Sequence, residues 1–255
     1  MNSKNLQAIY VMWLREIKRF LRAKSRIAST LALPFFFLFA MGFGFRYQSM
    51  PGVFQNINYL NFLVPGIIGM TILFTSMFTG LSVLWDKDFG FLKEIMVAPV
   101  SRTAIILGRI SGGVTTNLIQ GVLILITSLF LGFRIPNPFS FVLTLFLMLL
   151  ISIGFSGLSV AIASKIRDIQ GFPLVMHFFT YPSFLLSGAL FPITNFPNWL
   201  RALSLINPLT YGVDGLRASL IGFSQFSLFL DLFILLIFGF LMIILGAYLF
   251  TKTEV

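Results

Sequence analysis

The chain has 255 residues, of which 57% are hydrophobic and 10% charged, with 32 Phe, no Cys and a formal charge of +10. An ordinary soluble domain carries about 25% charged residues, so water could not solvate this surface, and intrinsic disorder needs the opposite composition. The lack of Cys excludes a disulfide framework or cysteine metal site, and 18 Lys and Arg, seven of them before residue 27, are too few and too clustered for a nucleic-acid surface.

Residues 4–26 come first. Leu6, Ile9, Tyr10, Trp13, Ile17, Phe20 and Leu21 recur at three-and-four spacing, with Arg15, Lys18, Arg19 and Arg22 largely elsewhere on the wheel. A basic helix with an aromatic stripe lies in the headgroup layer; the plainer alternative is a flank that only sets topology. It lacks the short apolar stretch and small-residue cleavage site of a removable signal, so the first span is expected to stay.

A crossing of the roughly 30 Å hydrocarbon core takes about 20 mostly apolar residues. Six segments qualify: 27–45, 59–85, 103–133, 139–164, 172–190 and 228–250. The expected fold is therefore an all-α integral membrane domain with six transmembrane helices. Two connections are unusual. In residues 86–102, Asp88 is placed to cap a short helix whose Phe91, Leu92, Ile95 and Met96 share a face, with Lys93 and Glu94 exposed and Pro99 ending it. Such a helix either covers its own bundle or docks a partner. In residues 191–227, Pro192, Pro197 and Pro208 break the chain into pieces, with Trp199, Tyr211, Asp214 and Arg217 suited to the outer interface. This reads as a re-entrant helix pair, or as two helices lying on lipid.

Alternate hydrophilic segments hold fourteen Lys and Arg on one side and four (Arg46, Arg134, Arg201, Arg217) on the other. The excess predicts both ends of the chain in the cytoplasm. Inside the spans, the deep interior lacks Asp, Glu, Lys and Arg, where such residues would be functional candidates. Asp231 stands near the start of the last span, where the helix dipole favours it. His177, the single histidine, suits packing more than a proton relay. Asn117 and Gln120 fit interhelical packing or a cargo path, and Gly108 with Gly112, like Ser152 with Ser156, forms a small-xxx-small pair. Phe36, Phe178 and Tyr181 are candidate linings of a path, with lipid-facing positions as the alternative. A phosphate-gripping loop needs a Gly-Lys step, and the sequence contains none. If transport uses ATP, the ATPase is another polypeptide. Nor is there an acid/base or metal set, so no catalytic or metal residue is assigned.

Pro65-Gly66-Ile67, then Gly90-Phe91-Leu92-Lys93-Glu94 with Ala98-Pro99-Val100-Ser101-Arg102, then Leu107-Gly108-Arg109, Gln120-Gly121, Asn207-Pro208-Leu209-Thr210-Tyr211 and Asp214-Gly215-Leu216-Arg217 form an ordered set. Taken together, from Asn5 to Tyr248, it resembles the membrane subunit of type-2 ABC exporters, in the subgroup of daunorubicin-resistance permeases and lipo-oligosaccharide and polysaccharide exporters. The resemblance implies a permease pair, expected to be a homodimer in membrane lipid of the plasma membrane, each chain bound to an ABC ATPase subunit that holds ATP and Mg. It implies that residues 86–102 form a cytoplasmic coupling helix, with Phe89, Phe91, Lys93, Glu94, Ile95, Met96 and Arg102 at the ATPase contact. It makes residues 4–26, with Trp13, Arg15 and Arg19, an interface helix. Trp199, Tyr211, Asp214 and Arg217 fall in its outer gate. The cargo expected is hydrophobic, amphipathic or lipid-linked and moves outward. Two rivals stay open: a stand-alone channel or ion-coupled carrier, and an intramembrane enzyme of lipid metabolism.

Overall fold

Apolar runs bounded by capping residues set the helices. Ser101 accepts from the Ala104 amide at the start of one long helix, Asn137 from Ser140 ahead of Pro138 at another, and Ser227 from Leu230 at a third; each satisfies an amide the helix itself cannot. In this computed structural model the described residues are 3–45, 58–166 and 168–252, and the side chains of Arg26, Leu92, Lys93 and Met96 lie outside the description. The order is α1 (Ser3–Arg22), α2 (Lys24–Gly44), α3 (Tyr59–Asp88), α4 (Phe91–Val97), α5 (Arg102–Phe130), α6 (Pro138–Lys165), α7 (Gly171–Leu186), a 3-10 turn (Ile193–Asn195), α8 (Asn198–Ile206), α9 (Pro208–Ile221) and α10 (Leu228–Thr251).

Among the described residues, five helices, α2, α3, α5, α6 and α10, are long and apolar enough to cross a bilayer. Their bounds fall within three residues of the expected spans. The expected span 172–190 is different: α7 has 16 residues, about 24 Å at 1.5 Å per residue, and the chain then turns at Gly188, whose φ of 75° lies in the left-handed region. Two charged residues near the ends of the spans are withdrawn from solvent. Arg109, seven residues into α5, and Asp231 in the first turn of α10 are both fully buried.

α3 is the central strut, packed by α2, α5, α6, α7 and α9. Small residues let the neighbours close on it. Gly80 lies against Ser159 of α6, whose hydroxyl accepts from the Gly80 amide at 2.9 Å and donates to the Met77 carbonyl at 3.0 Å. Asn117 of α5 donates to Ser76 of α3 at 2.9 Å and to Ser156 of α6 at 3.2 Å, so one amide ties three helices. Interhelical bonds of this kind contribute roughly 0.6–2 kcal/mol in membrane proteins.

The α8–α9 pair dips into the bundle. Gly69, ten residues into α3 and so about 15 Å from its start, packs against Val213 and Leu209 of α9. At that depth broken helices must have their polar groups satisfied by protein. Here Asn207 donates to the Ser183 carbonyl (2.6 Å), Thr210 to Ser204 (2.7 Å) and Tyr211 to Leu205 (2.8 Å). The pair packs into the bundle instead of lying apart from it. It enters from the end where α3 begins.

At the opposite end lie α1, α4, the start of α5 and the end of α10, whose Thr251 carbonyl accepts from Arg102 at 2.6 Å. α1 runs along α5. A Cβ on Gly108 would come 2.6 Å from that of Met12, and one on Gly112 2.6 Å from that of Glu16. The small-xxx-small pair thus serves the amphipathic helix. Met12, Glu16 and Phe20 form its buried seam, while Leu6, Tyr10, Val11 and Leu21 remain exposed.

The short helix α4 starts differently from the expectation. Asp88 belongs to the end of α3, and Gly90, at φ 74°, is the residue before the first turn, with no side-chain cap. Only a residue at ease in the left-handed region lets the chain leave α3 and restart helically two residues later. Ala98 ends α4 in an extended conformation, as the residue before a proline prefers.

Candidate functional site

Three features lie at or near the α1/α4 end. The first is the surface of α4. Phe89 and Val97 are 81% and 83% exposed, Glu94 is exposed and Ile95 half-buried. Lys93 and Met96, expected at the same contact, have side chains outside the described residues. Arg102 is turned away from α4 and holds the end of α10. Phe91 lies beneath Arg15, whose guanidinium carbon is 4.4 Å from the ring centroid.

The second feature is a charge cluster that sequence reasoning missed. Asp86, near the end of α3, is 5% exposed. Its two oxygens accept from the two terminal nitrogens of Arg15 at 2.7 and 2.6 Å, the bidentate geometry that suits a guanidinium. Arg109 closes on the same carboxylate as an ion pair and donates to the Ser82 carbonyl at 3.3 Å. Arg19 stands 3.7 Å from Asp86 and 3.5 Å from Glu16, and lies over the Trp85 ring. Burial disfavours the Arg15 charge, and Asp86 more than compensates, holding the guanidinium above its ordinary pKa. Trp13 completes the seat of α1 by donating to Thr115 at 3.0 Å. The sequence signal available was Arg109 itself, a charge one turn and more inside an apolar run.

The third feature is a cavity of about 300 Å³ between α2, α3 and α7. Its walls are mainly Leu33, Pro34, Phe74, Met77, Phe172 and Tyr181, and among the described residues no charged side chain lines it. His177 stacks on Tyr181 at 5.4 Å, and Phe74 meets Tyr181 edge-on at 5.2 Å. Two hydroxyls in the wall are internally bonded: Thr30 donates to Gln120 at 2.6 Å, and Thr180 to the Met176 carbonyl at 2.8 Å. Ser29 and Tyr181 lie five and ten residues from the starts of their helices, about 8 and 15 Å along the axis. The cavity thus occupies the half of the bundle nearer α1 and α4.

Of the five residues expected on a path, Tyr181 lines this cavity and Gln120 supports its wall through Thr30. Asn117 is 1% exposed and engaged in the three-helix contact. Phe36 and Phe178, 65% and 84% exposed, project from the outer faces of α2 and α7.

The residues expected at the outer gate divide in the same way. Trp199 is exposed on α8. Tyr211, Asp214 and Arg217 are buried on α9 and hold backbone. Asp214 accepts from the Gln225 and Phe226 amides at 2.8–2.9 Å, and Arg217 donates to the Gly188 carbonyl at 2.6 Å. Asp231 is buried beside Gly215, and both its oxygens lack a hydrogen-bond partner among the described residues.

Residues 7–221 match the family model described as ABC-2 type transporter. The chain is 30% identical over 215 residues to a protein named transport permease ycf38 from Cyanophora paradoxa, covering 83% of this chain and 73% of that one. It is 28% identical over 235 residues to the inner membrane transport permease YadH of Escherichia coli strain K12, covering 91% and 90%. Over 160 residues it is 29% identical to the same organism's "Probable multidrug ABC transporter permease YbhR", covering 62% and 43%. A family match over most of the chain, on an all-helical membrane bundle, identifies it: this protein belongs to the ABC-2 type transporter family of permeases.

Proposed function

We propose that the chain is the membrane subunit of an ATP-driven exporter that moves a hydrophobic, amphipathic or lipid-linked molecule outward. The observation that carries this reading is the uncharged cavity between α2, α3 and α7, of about 300 Å³, with its Phe, Met and Tyr walls. An apolar pocket open between helices suits a cargo that arrives from the membrane. With α1 and α4 at the cytoplasmic face, as fourteen basic residues against four favour, the cavity lies in the inner half of the bilayer. The family relatives named as a multidrug permease and as inner membrane permeases agree with that cargo class and with a plasma-membrane location.

ATP and Mg would be held by a separate ABC ATPase subunit. α4 is the helix offered to it: Phe89, Glu94 and Val97 stand clear of the bundle, with Ile95, Lys93 and Met96 beside them in sequence. Two copies of the chain would face one another across the path, with Phe36 and Phe178 at that face and the re-entrant pair around Trp199 closing its outer end. Closure of the ATPases would press α4 against α1 and the ends of α3 and α5.

The test is the double substitution Glu94→Arg with Ile95→Asp. Glu94 is exposed and Ile95 is only half-buried at the edge of the core; the purified chain should fold, with its melting midpoint as the check, and ATPase stimulation by the permease should be lost. Normal stimulation by the double mutant would refute docking through α4. Flux in liposomes lacking any ATPase would instead favour a stand-alone channel or carrier.

A further inference from the structure

The charge cluster at the α1/α4 end joins elements far apart in sequence. Arg15 reaches Asp86 across 71 residues, with both terminal nitrogens on both carboxylate oxygens. The same guanidinium lies 4.4 Å above the ring of Phe91, the first residue of α4. One side chain of α1 is thereby held by the end of α3 on its edge and by α4 on its face. A fork that is planar and rigid can do both at once; an ammonium cannot.

We infer that Arg15 is the positioning residue that makes α1 and α4 move as one body and passes that movement to α3 and α5 through Asp86. This rests on the reading of α4 as the ATPase-docking helix. Three observations support it. The seven residues of α4 form fewer than two turns, and no side-chain cap fixes its first turn, so its placement depends on what it touches. Its tertiary neighbours include the end of α3 and Arg15 of α1, and Ile95 packs at the edge of the core. Asp86, in turn, also faces Arg109, which is fully buried and pinned to α5, so a displacement of Arg15 acts on a carboxylate that α3 and α5 share.

The cluster also decides which substitution tests the idea. Loss of Asp86 would strand Arg109 in the core without its partner, and misfolding would follow. Loss of Arg15 leaves Asp86 paired with Arg109. Arg15→Gln is therefore the informative variant, and Arg15→Lys, which restores charge without the fork, is its partial rescue.

The chain has no Cys, so Leu6→Cys on α1 and Ala98→Cys at the end of α4, both exposed and neither assigned to the ATPase contact, give one spin-label pair. Labelled chains diluted into unlabelled ones, in the complex with their ABC ATPase, report the α1–α4 distance within a single chain. The expected wild-type result is one narrow distance, unchanged between nucleotide-free and ATP-trapped states. Arg15→Gln should still bind the ATPase, yet show a broadened distance that shifts with nucleotide, and Arg15→Lys should fall between. A wild-type distance that changes with nucleotide, or an Arg15→Gln distance identical to wild type, overturns the inference while leaving docking intact. Failure of the wild-type chain to bind an ABC ATPase removes the underlying reading and the inference with it.

Discussion

Arg217 lies over the ring of Phe62, with its guanidinium carbon 3.8 Å from the centroid, and donates to the Gly188 and Ala189 carbonyls at 2.6 and 3.3 Å. A single buried cation of α9 thus caps the end of the α7 segment and rests on α3. Removal of the guanidinium leaves two buried carbonyls unanswered, at about 1–3 kcal/mol each. Arg217→Met should therefore lower the thermal midpoint in detergent markedly. Arg217→Lys should recover only part of the loss, because one ammonium cannot reach both carbonyls and cover the ring. Equal midpoints for Lys and Arg would contradict the assignment.

Asp214 and Asp231 are expected to respond oppositely to the same substitution. Asp214 accepts three bonds from the amides of Gln225 and Phe226, so Asp214→Asn should destabilise by about 1–3 kcal/mol. Asp231 is buried with neither oxygen bonded among the described residues, and such a group carries a desolvation cost that no contact offsets. Asp231→Asn should be neutral or raise the midpoint by roughly 2–4 °C. Side-by-side unfolding curves decide; destabilisation by both would show that Asp231 has an unrecognised partner.

Gly112 faces the Glu16 side chain and the Trp13 carbonyl of α1, its Cβ position only 2.6 and 3.3 Å from them. Gly112→Leu overfills that seam, at a cost of about 1–3 kcal/mol, and should lift α1 off α5. Trypsin reads the outcome, because Arg15, Lys18, Arg19 and Arg22 lie on α1. Cleavage there should accelerate while cleavage elsewhere stays constant; unchanged α1 protection would mean the seam can relax.

Leu33 stands on the wall of the intramembrane cavity and is 38% exposed, so a larger side chain can enter the space without disturbing the core. On the proposed exporter function, Leu33→Trp should cut efflux of a lipophilic test substrate from vesicles by about tenfold, equivalent to about 1.4 kcal/mol. The midpoint of unfolding should hold. Full efflux with the cavity narrowed would place the path elsewhere.

Much of this architecture is written in the sequence locally. Apolar runs with Ser101, Asn137 and Ser227 at their starts place α5, α6 and α10, because length and capping are properties of contiguous residues. Three prolines with few charges between Phe191 and Ser227 similarly announce a segment that is neither span nor loop. What escaped was relational. Asp86 and Arg109 read as two more flanking charges until the fold brings Arg15 to them from 71 residues away. The Gly108 and Gly112 pair declares close packing without naming α1 as the partner. The end of α7 was unreadable for a further reason: Gly188 and Ala189 continue the apolar composition, and the Arg217 side chain that holds their carbonyls where Gly188 turns the chain comes from α9.

The bond from Arg102 to the Thr251 carbonyl, at 2.6 Å, has a practical use. It fixes the last turn of α10 beside the start of α5, one short connection away from α4. In a chain without native thiols, Lys252→Cys would carry a single fluorophore at that spot. Such a label would sense a protein arriving at α4 by quenching or anisotropy, with every side chain of α4 left as it is.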